Sequence, residues 1–302
     1  MQVDCTFSCT PRPFYQTMIF VVYDHTKHSY VPVYWVLMSS KSALAYDQTF
    51  QAIKHDLNGA FKPWVIGIDF EIAFLKMAGK HWPEANLIGC YFHFSQAFVK
   101  KMKDDLGFPK EIITPVLKII QLATVLPQED LVEITGKGWA YIADKIDGIS
   151  VDEDVDEWMQ SDQWKSMKAD LFAYIRDFWI RCDVLPLWNC SAFVELDDDE
   201  QPIFRTNCWL ESYNRKVNEM FPTAHPTMAA FAARLREEQQ RIIQLQEDYR
   251  QRRESPPVYD PVQWPVVPAD YATFEVQEGA WILTIAQDER PKKKSRKGRK
   301  RN

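Results

Sequence analysis

The sequence predicts an α/β fold whose first third builds a mixed sheet and whose second half is helical. Three observations predict it. Short β-branched or aromatic runs alternate with amphipathic segments over the first 93 residues. After His93 the strand signal fades and apolar residues recur at helical spacing. At 302 residues, 46% hydrophobic and 14% aromatic, the chain has the apolar side chains to fill a large core.

In order, residues 3–7, 18–23 and 31–38 are strand runs, and the polar stretch 24–29 turns the last two into a hairpin. Residues 42–57 place Leu44, Phe50, Ile53 and Leu57 at helical spacing. A buried strand at 64–70, a helix from Glu71 to about His81 and a strand at 87–92 follow. Three strands, helix, strand, helix, strand is the order an RNase H-like core needs: an antiparallel meander, then crossovers that add parallel strands. Beyond it, 95–105, 109–126, 130–146, 155–182 and 227–251 read as amphipathic helices, and the acidic runs 152–157 and 197–200 read as loops. Pro256, Pro257, Pro261, Pro265 and Pro268 crowd one stretch, which excludes a helix interior or a central strand there. The expected organisation is therefore an N-terminal core part (1–107), a helical insertion (108–200), a closing segment (201–253), a Pro-rich linker or strap (254–289) and a disordered basic tail (290–302).

Composition removes several classes of function. No apolar stretch reaches the roughly 20 residues that span a bilayer, and the chain opens without a basic and apolar leader, so a soluble, unsecreted protein with no membrane partner is expected. Six scattered cysteines (Cys5, Cys9, Cys90, Cys182, Cys190, Cys208) suit a reducing compartment better than a disulfide scaffold. The formal charge of -6 is uneven: nine basic residues lie between Arg290 and Arg301, leaving -15 on residues 1–289. Such a tail reads as a nuclear-localisation or polyphosphate-binding arm, or as a solvated tail with no address.

Three carboxylates stand out. Asp69 ends the apolar run Val65-Ile66-Gly67-Ile68, and a charge at the end of a buried parallel strand needs a partner. Asp4 lies in the first strand run. Glu211 follows Asn207 by four residues and precedes Asn214 by three, so a helix opening near Thr206 carries all three on one face. The alternatives are ordinary: either aspartate caps a turn or helix, and the Glu211 stripe is a solvated face. Brought together, three carboxylates repel unless cations bridge them, and Mg²⁺ or Mn²⁺ prefers oxygen ligands. Two such ions organise in-line phosphoryl displacement without a protein nucleophile.

The ordered set of motifs resembles the Mutator-like element (MULE) transposase domain family. Asp4-Cys5-Thr6-Phe7 is similar to the family's opening Asp-Gly-Thr-Phe, with Phe14-Tyr15-Gln16 after it. Residues 33–38 with Lys41, Tyr46 and Phe50 look like its next strand and helix. Ile68-Asp69-Phe70-Glu71-x-Ala73, then Gly89-Cys90-Tyr91-Phe92-His93-Phe94-x-Gln96, and finally Arg205-Thr206-Asn207-x-x-x-Glu211-Ser212-x-Asn214 keep the family's order. The resemblance extends over residues 1 to about 235. It implies an RNase H-like core with a helical insertion before the third carboxylate, and Asp4, Asp69 and Glu211 as catalytic, metal-binding residues for two Mg²⁺ or Mn²⁺ ions. It also implies DNA transposition by phosphodiester hydrolysis and strand transfer at element ends and target DNA, in the nucleus, by a multimer such as a homodimer, with no small-molecule substrate. The family's Cys-x-x-His element falls on Cys90 and His93, which with Asn207 and Asn214 are expected to position DNA. Without the family, Cys90 is a buried small hydrophobe and His93 a helix cap.

Two departures bear on activity. Cys5 stands where the family has glycine, although neighbouring strand residues face opposite sides and leave Asp4 its direction. Only three residues precede Asp4, and the family's N-terminal zinc-containing DNA-binding module is absent, so the sequence also reads as a truncated or inactive copy. A domesticated, catalytically silent nuclear DNA-binding or regulatory protein is the competing function. A zinc site from Cys5, Cys9, His25 and His28 is a further alternative, with spacing that misses the common finger pattern. Trp188, Trp209 and Tyr213 are read as core, with base stacking as the alternative.

Overall fold

The computed structural model describes residues 1–194, 205–206, 208–259 and 263–285. The basic tail, the acidic run 197–200 and Asn207 lie outside the described residues. The chain forms two compact units, one from Met1–Phe98 with Pro186–Trp264, the other from Val99–Leu185 with the segment that begins at Pro265.

The first unit is built on a five-stranded mixed sheet. β1 (Gln2–Thr6), β2 (Gln16–Asp24) and β3 (Ser29–Met38) form the expected antiparallel meander. α1 (Ala43–Asp56) starts where Ser42 accepts a hydrogen bond from the Ala45 amide, at 3.2 Å. β4 (Val65–Ile68), α2 (Ile72–His81) and β5 (Asn86–Gly89) then add two parallel strands on the other side of β1. The order β3-β2-β1-β4-β5 puts β1 at the centre. Pro32, which cannot donate to a ladder, sits in the edge strand β3, opposite a register shift at Phe20/Val21.

Successive β1 residues face opposite layers. Val3 and Cys5 join the core under α1 and α2, where the fully buried Phe50 meets the Phe20, Phe74 and Trp82 rings at 6.3, 5.2 and 5.0 Å. Asp4 and Thr6 face the helices that return late in the chain. The tolerance expected for Cys5 is what the structure shows: its side chain enters the α1/α2 layer and Asp4 keeps its own face.

The end of β5 differs from expectation. Residues 87–92 read as a strand, but the ladder closes with the Cys90 amide on the Ile68 carbonyl at 2.8 Å, and α3 (Tyr91–Lys100) begins at once, with the Phe94 amide bonding back to the Cys90 carbonyl. Tyr91, Phe94 and Phe98 repeat at helical spacing, and the burial of Phe94 and Phe98 decides for helix. His93 therefore stands in the first turn of a helix.

In the second unit, α4 (Lys110–Ile120), α5 (Lys137–Asp147), α6 (Glu153–Trp158) and α7 (Asp162–Tyr174) enclose a core in which Trp139, Trp164, Trp179 and Phe172 are fully buried. The acidic run 152–157, read as a loop, is instead the start of α6, capped by Asp152 on the Val155 amide, and the single helix read over 155–182 is broken where the Ser161 side chain caps α7. Asp270 accepts from Tyr141 and Lys145, and the Tyr271 hydroxyl donates to Asp130 at 2.5 Å, so the residues after the proline cluster dock into this unit. The short helix α12 (Ile282–Ile285) ends its described part.

The first unit is completed by the short helices α8 (Leu185–Trp188) and α9 (Ser191–Val194), then α10 (Cys208–Glu219) and α11 (Met228–Arg250). Leu210, Val217 and Phe231 from these last two pack with Ile19 and Val21 on the second face of the sheet. Trp188 and Tyr213 are buried and Trp209 stacks on Tyr30 and Tyr213 at 5.2 and 5.4 Å, so all three serve the core. No helix among the described residues is long and apolar enough to cross a membrane, and all six cysteines are free.

Glu238, 5% exposed, ties α11 to α10: it accepts two bonds from Arg241, both at 2.7 Å, and one from Lys216 at 3.1 Å. Burial pushes its carboxyl up, but the Arg241 and Lys216 donors outweigh burial and hold it below the ordinary value of 4.5. The folded state thus prefers the anion, so the tie contributes above pH 4.5 and is lost as pH falls through the lower folded value. Glu238→Gln should cost about 1–3 kcal/mol near neutral pH, because both cationic partners stay half in water. In urea titrations across pH, the gap between wild type and variant should be constant down to about pH 5 and shrink below it; a gap that widens in acid would contradict this role.

Candidate carboxylate site

Parallel strands end at a common edge of the sheet, and side chains just past their carboxyl ends meet there. Asp69 follows β4 and Cys90 follows β5. Asp4 projects from the middle of β1 toward α10, which carries Glu211 in its first turn. Asp4, Asp69, Cys90, His93, Glu211 and Asn214 therefore gather in one region of the first unit from five separate segments. Asn207 falls outside the described residues.

His93 is the centre of this group. Its Nδ1 lies 2.6 Å from Asp69 Oδ1, an ion-pair approach off the line of a hydrogen bond, and its Nε2 lies 3.8 Å from Glu211 Oε1 on the other side of the ring. Contact with Asp69, then with Cys90, pushes the imidazole up to about 11, so it is a cation at neutral pH. Asp4 is pushed up to about 6 by burial first, then by the nearby Asp69 charge; the Cys5 amide and His93 oppose this, and Glu211 adds to it. Asp4 Oδ1 accepts from the Cys5 amide at 2.7 Å, and Oδ2 from Asn214 Nδ2 at 2.6 Å.

The expected stripe on α10 runs further than the sequence reading took it. Asn218, four residues beyond Asn214, accepts from the Cys9 amide at 2.9 Å and exchanges bonds with the Thr6 hydroxyl at 2.8 and 3.0 Å. Asn214 and Asn218 thus dock α10 on β1 and set where Glu211 stands. Arg215, one turn beyond Glu211, is exposed, lines an open hollow of about 480 Å³ with Asp4, Glu211 and Asn214, and forms no ion pair among the described residues. Its i+4 spacing from Glu211 was the available signal. On the other flank, Glu71 accepts from the buried Tyr46 hydroxyl at 2.7 Å and from Lys41 at 3.3 Å. Behind the site a side chain at Gly89 would collide with the Phe70 ring.

The zinc alternative fails. Cys9 is buried beside Thr6 and Thr17, whereas His25 and His28 lie in the turn past the far end of the nine-residue strand β2, roughly 25 Å away at 3.3 Å per residue. Among the described residues, the set whose ligand atoms converge within 4.8 Å is Cys90, His93 and Glu211.

Residues 1–97 match the family model of the MULE transposase domain. The match contains Asp4, Asp69, Cys90 and His93 and ends before α10. It supports a transposase-related role for this chain, and a MULE transposase domain implies interaction with DNA. No curated protein matches the chain.

Residues 1–97 and α10 together supply an oxygen-rich set of side chains. Asp69 Oδ1, Glu211 Oε1 and Asn214 Oδ1 are buried acceptors without an aligned hydrogen-bond donor, and the Asp4 carboxylate feels both other carboxylates. These atoms suit a hard cation. His93 offsets part of the negative charge of these carboxylates. His93→Gln should lower the thermal midpoint in EDTA by roughly 2–4 °C, equivalent to about 1 kcal/mol in a chain of this size. Mg²⁺ should then raise the variant's midpoint more than that of wild type; equal midpoints in EDTA would mean that His93 balances no charge.

Proposed function

We propose that the first unit is an RNase H-like catalytic core of DDE type, and that the protein cleaves and joins DNA strands with Asp4, Asp69 and Glu211 holding divalent cations. The observation that supports this best is the approach of Asp4, Asp69 and the far-off Glu211 to one another at the carboxyl end of the mixed sheet, in a chain whose residues 1–97 match the MULE transposase domain.

When bound, Mg²⁺ or Mn²⁺ would supply an activated water or DNA 3′-hydroxyl and stabilise the leaving oxygen. The protein's own groups do the rest. Asp4 is oriented by Asn214 and the Cys5 amide, Glu211 by the docking of α10, and Asp69 by its place at the end of β4. His93 contributes a proton-bearing cation between Asp69 and Glu211. Arg215 and Lys41 stand on opposite flanks and offer positive charge to phosphates.

One observation favours the catalytically silent reading. The atoms that converge within 4.8 Å belong to Cys90, His93 and Glu211, and the His93 ring stands between Asp69 and Glu211. A domesticated DNA-binding protein needs no closer approach.

Supercoiled plasmid with Mn²⁺ separates the two. Wild type is expected to nick it, and Asp69→Asn to lower the rate by at least about a hundredfold, since even indirect partners of a metal cost 10–100-fold. Chelation should abolish the reaction. Folded wild-type protein that binds DNA without nicking would select the silent reading.

A further inference from the structure

Among the described residues, four large aromatic side chains are exposed: Phe7, Tyr15, Trp64 and Phe92. Trp64 precedes β4 at the end of the sheet away from Asp69, but Phe7 and Phe92 neighbour the carboxylate group and Tyr15 meets Phe7. Phe92 neighbours His93, with ring centroids 5.8 Å apart. Phe7, 44% exposed, follows β1 and lines a small hollow with Asp4, Asp69, Lys41 and Glu71. Tyr15, 52% exposed, meets Phe7 edge to face at 5.8 Å. Lys41 Nζ stands 5.3 Å from the centre of the Phe7 ring.

We propose that Phe7 and Tyr15, with Lys41 beside them, form a subsite that stacks an unpaired nucleobase of the DNA strand at the carboxylate site. The proposal rests on the DNA-processing reading above and names the form of DNA that the site prefers: a strand with bases splayed out of the duplex.

Three features carry it. First, the rings are held in place. The loop between β1 and β2 buries Cys9 and Thr10 completely; Thr10 bonds the Thr6 carbonyl and the Thr17 hydroxyl, Cys9 bonds Asn218, and His225 holds the Ser8 and Thr10 carbonyls at 2.8 and 2.9 Å. The Tyr15 amide is fixed on the Met38 carbonyl at 2.8 Å. Rings that leave such a loop for solvent are prearranged, and a ligand that meets them loses little side-chain freedom on binding. Second, the chemistry matches a nucleotide in both of its parts. An aromatic face stacks on any base, and the Lys41 side chain beside it, 40% exposed and with its ammonium 3.3 Å from Glu71, brings a cation within reach of the attached phosphate. Third, the position is next to the reacting groups, because Phe7 shares its hollow with Asp4 and Asp69. An intact duplex keeps its bases stacked inside, so only a frayed, nicked or hairpin-opening strand offers a free base face at this place.

The test uses the full chain and a 20-nucleotide oligothymidylate carrying one 2-aminopurine, against a blunt duplex of the same length, with Ca²⁺ in place of Mn²⁺. Wild type should bind the single strand and change the 2-aminopurine emission. The Phe7→Ala/Tyr15→Ala double variant should bind the single strand roughly tenfold more weakly and lose the emission change, while duplex affinity stays within about twofold. Phe7→Tyr and Tyr15→Phe, which keep the rings, should retain both signals, and this guards against a loss caused by misfolding. Lys41→Gln should lower the slope of log affinity against log salt by about 0.7. Unchanged single-strand binding in the double alanine variant, or equal losses on both DNAs, would overturn the subsite. Plasmid nicking run in parallel separates the two claims: nicking without stacking removes the subsite and keeps the nuclease reading, whereas stacking without nicking keeps the subsite on a DNA-binding protein.

Discussion

A carboxylate on the central strand of a sheet must be matched by donors or by positive charge, since burial alone favours its protonated form. Asp4 meets that constraint with the Cys5 amide and the Asn214 side-chain amide, yet Asp69 and Glu211 lie close enough to work against both. The excess negative charge is answered by His93, whose two ring nitrogens face the two other carboxylates. Much of the local architecture follows from this balance. β5 must end at Gly89 and turn straight into α3 for the imidazole to reach Asp69, and α10 must lie over β1 for Asn214 to reach Asp4.

That second requirement is met at long range. α10 is returned to the sheet after the Val99–Leu185 segment of the second unit has intervened, so its place depends on contacts rather than on a short connection. Two asparagines supply specificity: Asn214 on Asp4, Asn218 on Thr6 and the Cys9 amide. Leu210 and Val217 supply apolar burial, and Glu238 ties α11 to the same helix. A polar side chain that must find one partner fixes register more sharply than an apolar one, which packs acceptably in several positions. Glu211 inherits its position from that register.

Much of this was legible in the sequence. The meander, the two crossovers and the facing of Cys5 against Asp4 follow from period-two alternation and strand composition, which are local properties. The stripe on α10 was legible too, up to Asn214. The start of α3 was misread because Tyr91-Phe92-His93-Phe94 is as apolar and aromatic as a strand; only the burial of Phe94 and Phe98 on one side decides between the periods. The contact of His93 with both Asp69 and Glu211 has no local signature, since it joins α3 to β4 and α10. Phe7 and Tyr15 were equally opaque, because an aromatic beside a strand is usually core, and its exposure depends on how the loop is folded back.

The place of His93 also bears on the order of events at the site. An imidazolium between two carboxylates and a divalent cation shared by them answer the same excess of negative charge, so each weakens the hold of the other. A cation entering alone would meet a site already partly neutralised, with the His93 ring between Asp69 and Glu211. DNA changes that balance, because a phosphodiester brings a further negative charge and further oxygen ligands, which raises the demand for positive charge beyond what His93 supplies. On the proposed reading, cations therefore bind more tightly with DNA than without it, and the same linkage makes DNA bind more tightly with cations. An arrangement that is splayed in the free protein is then compatible with a nuclease that assembles its site only around its substrate, and the silent reading requires that this coupling be absent.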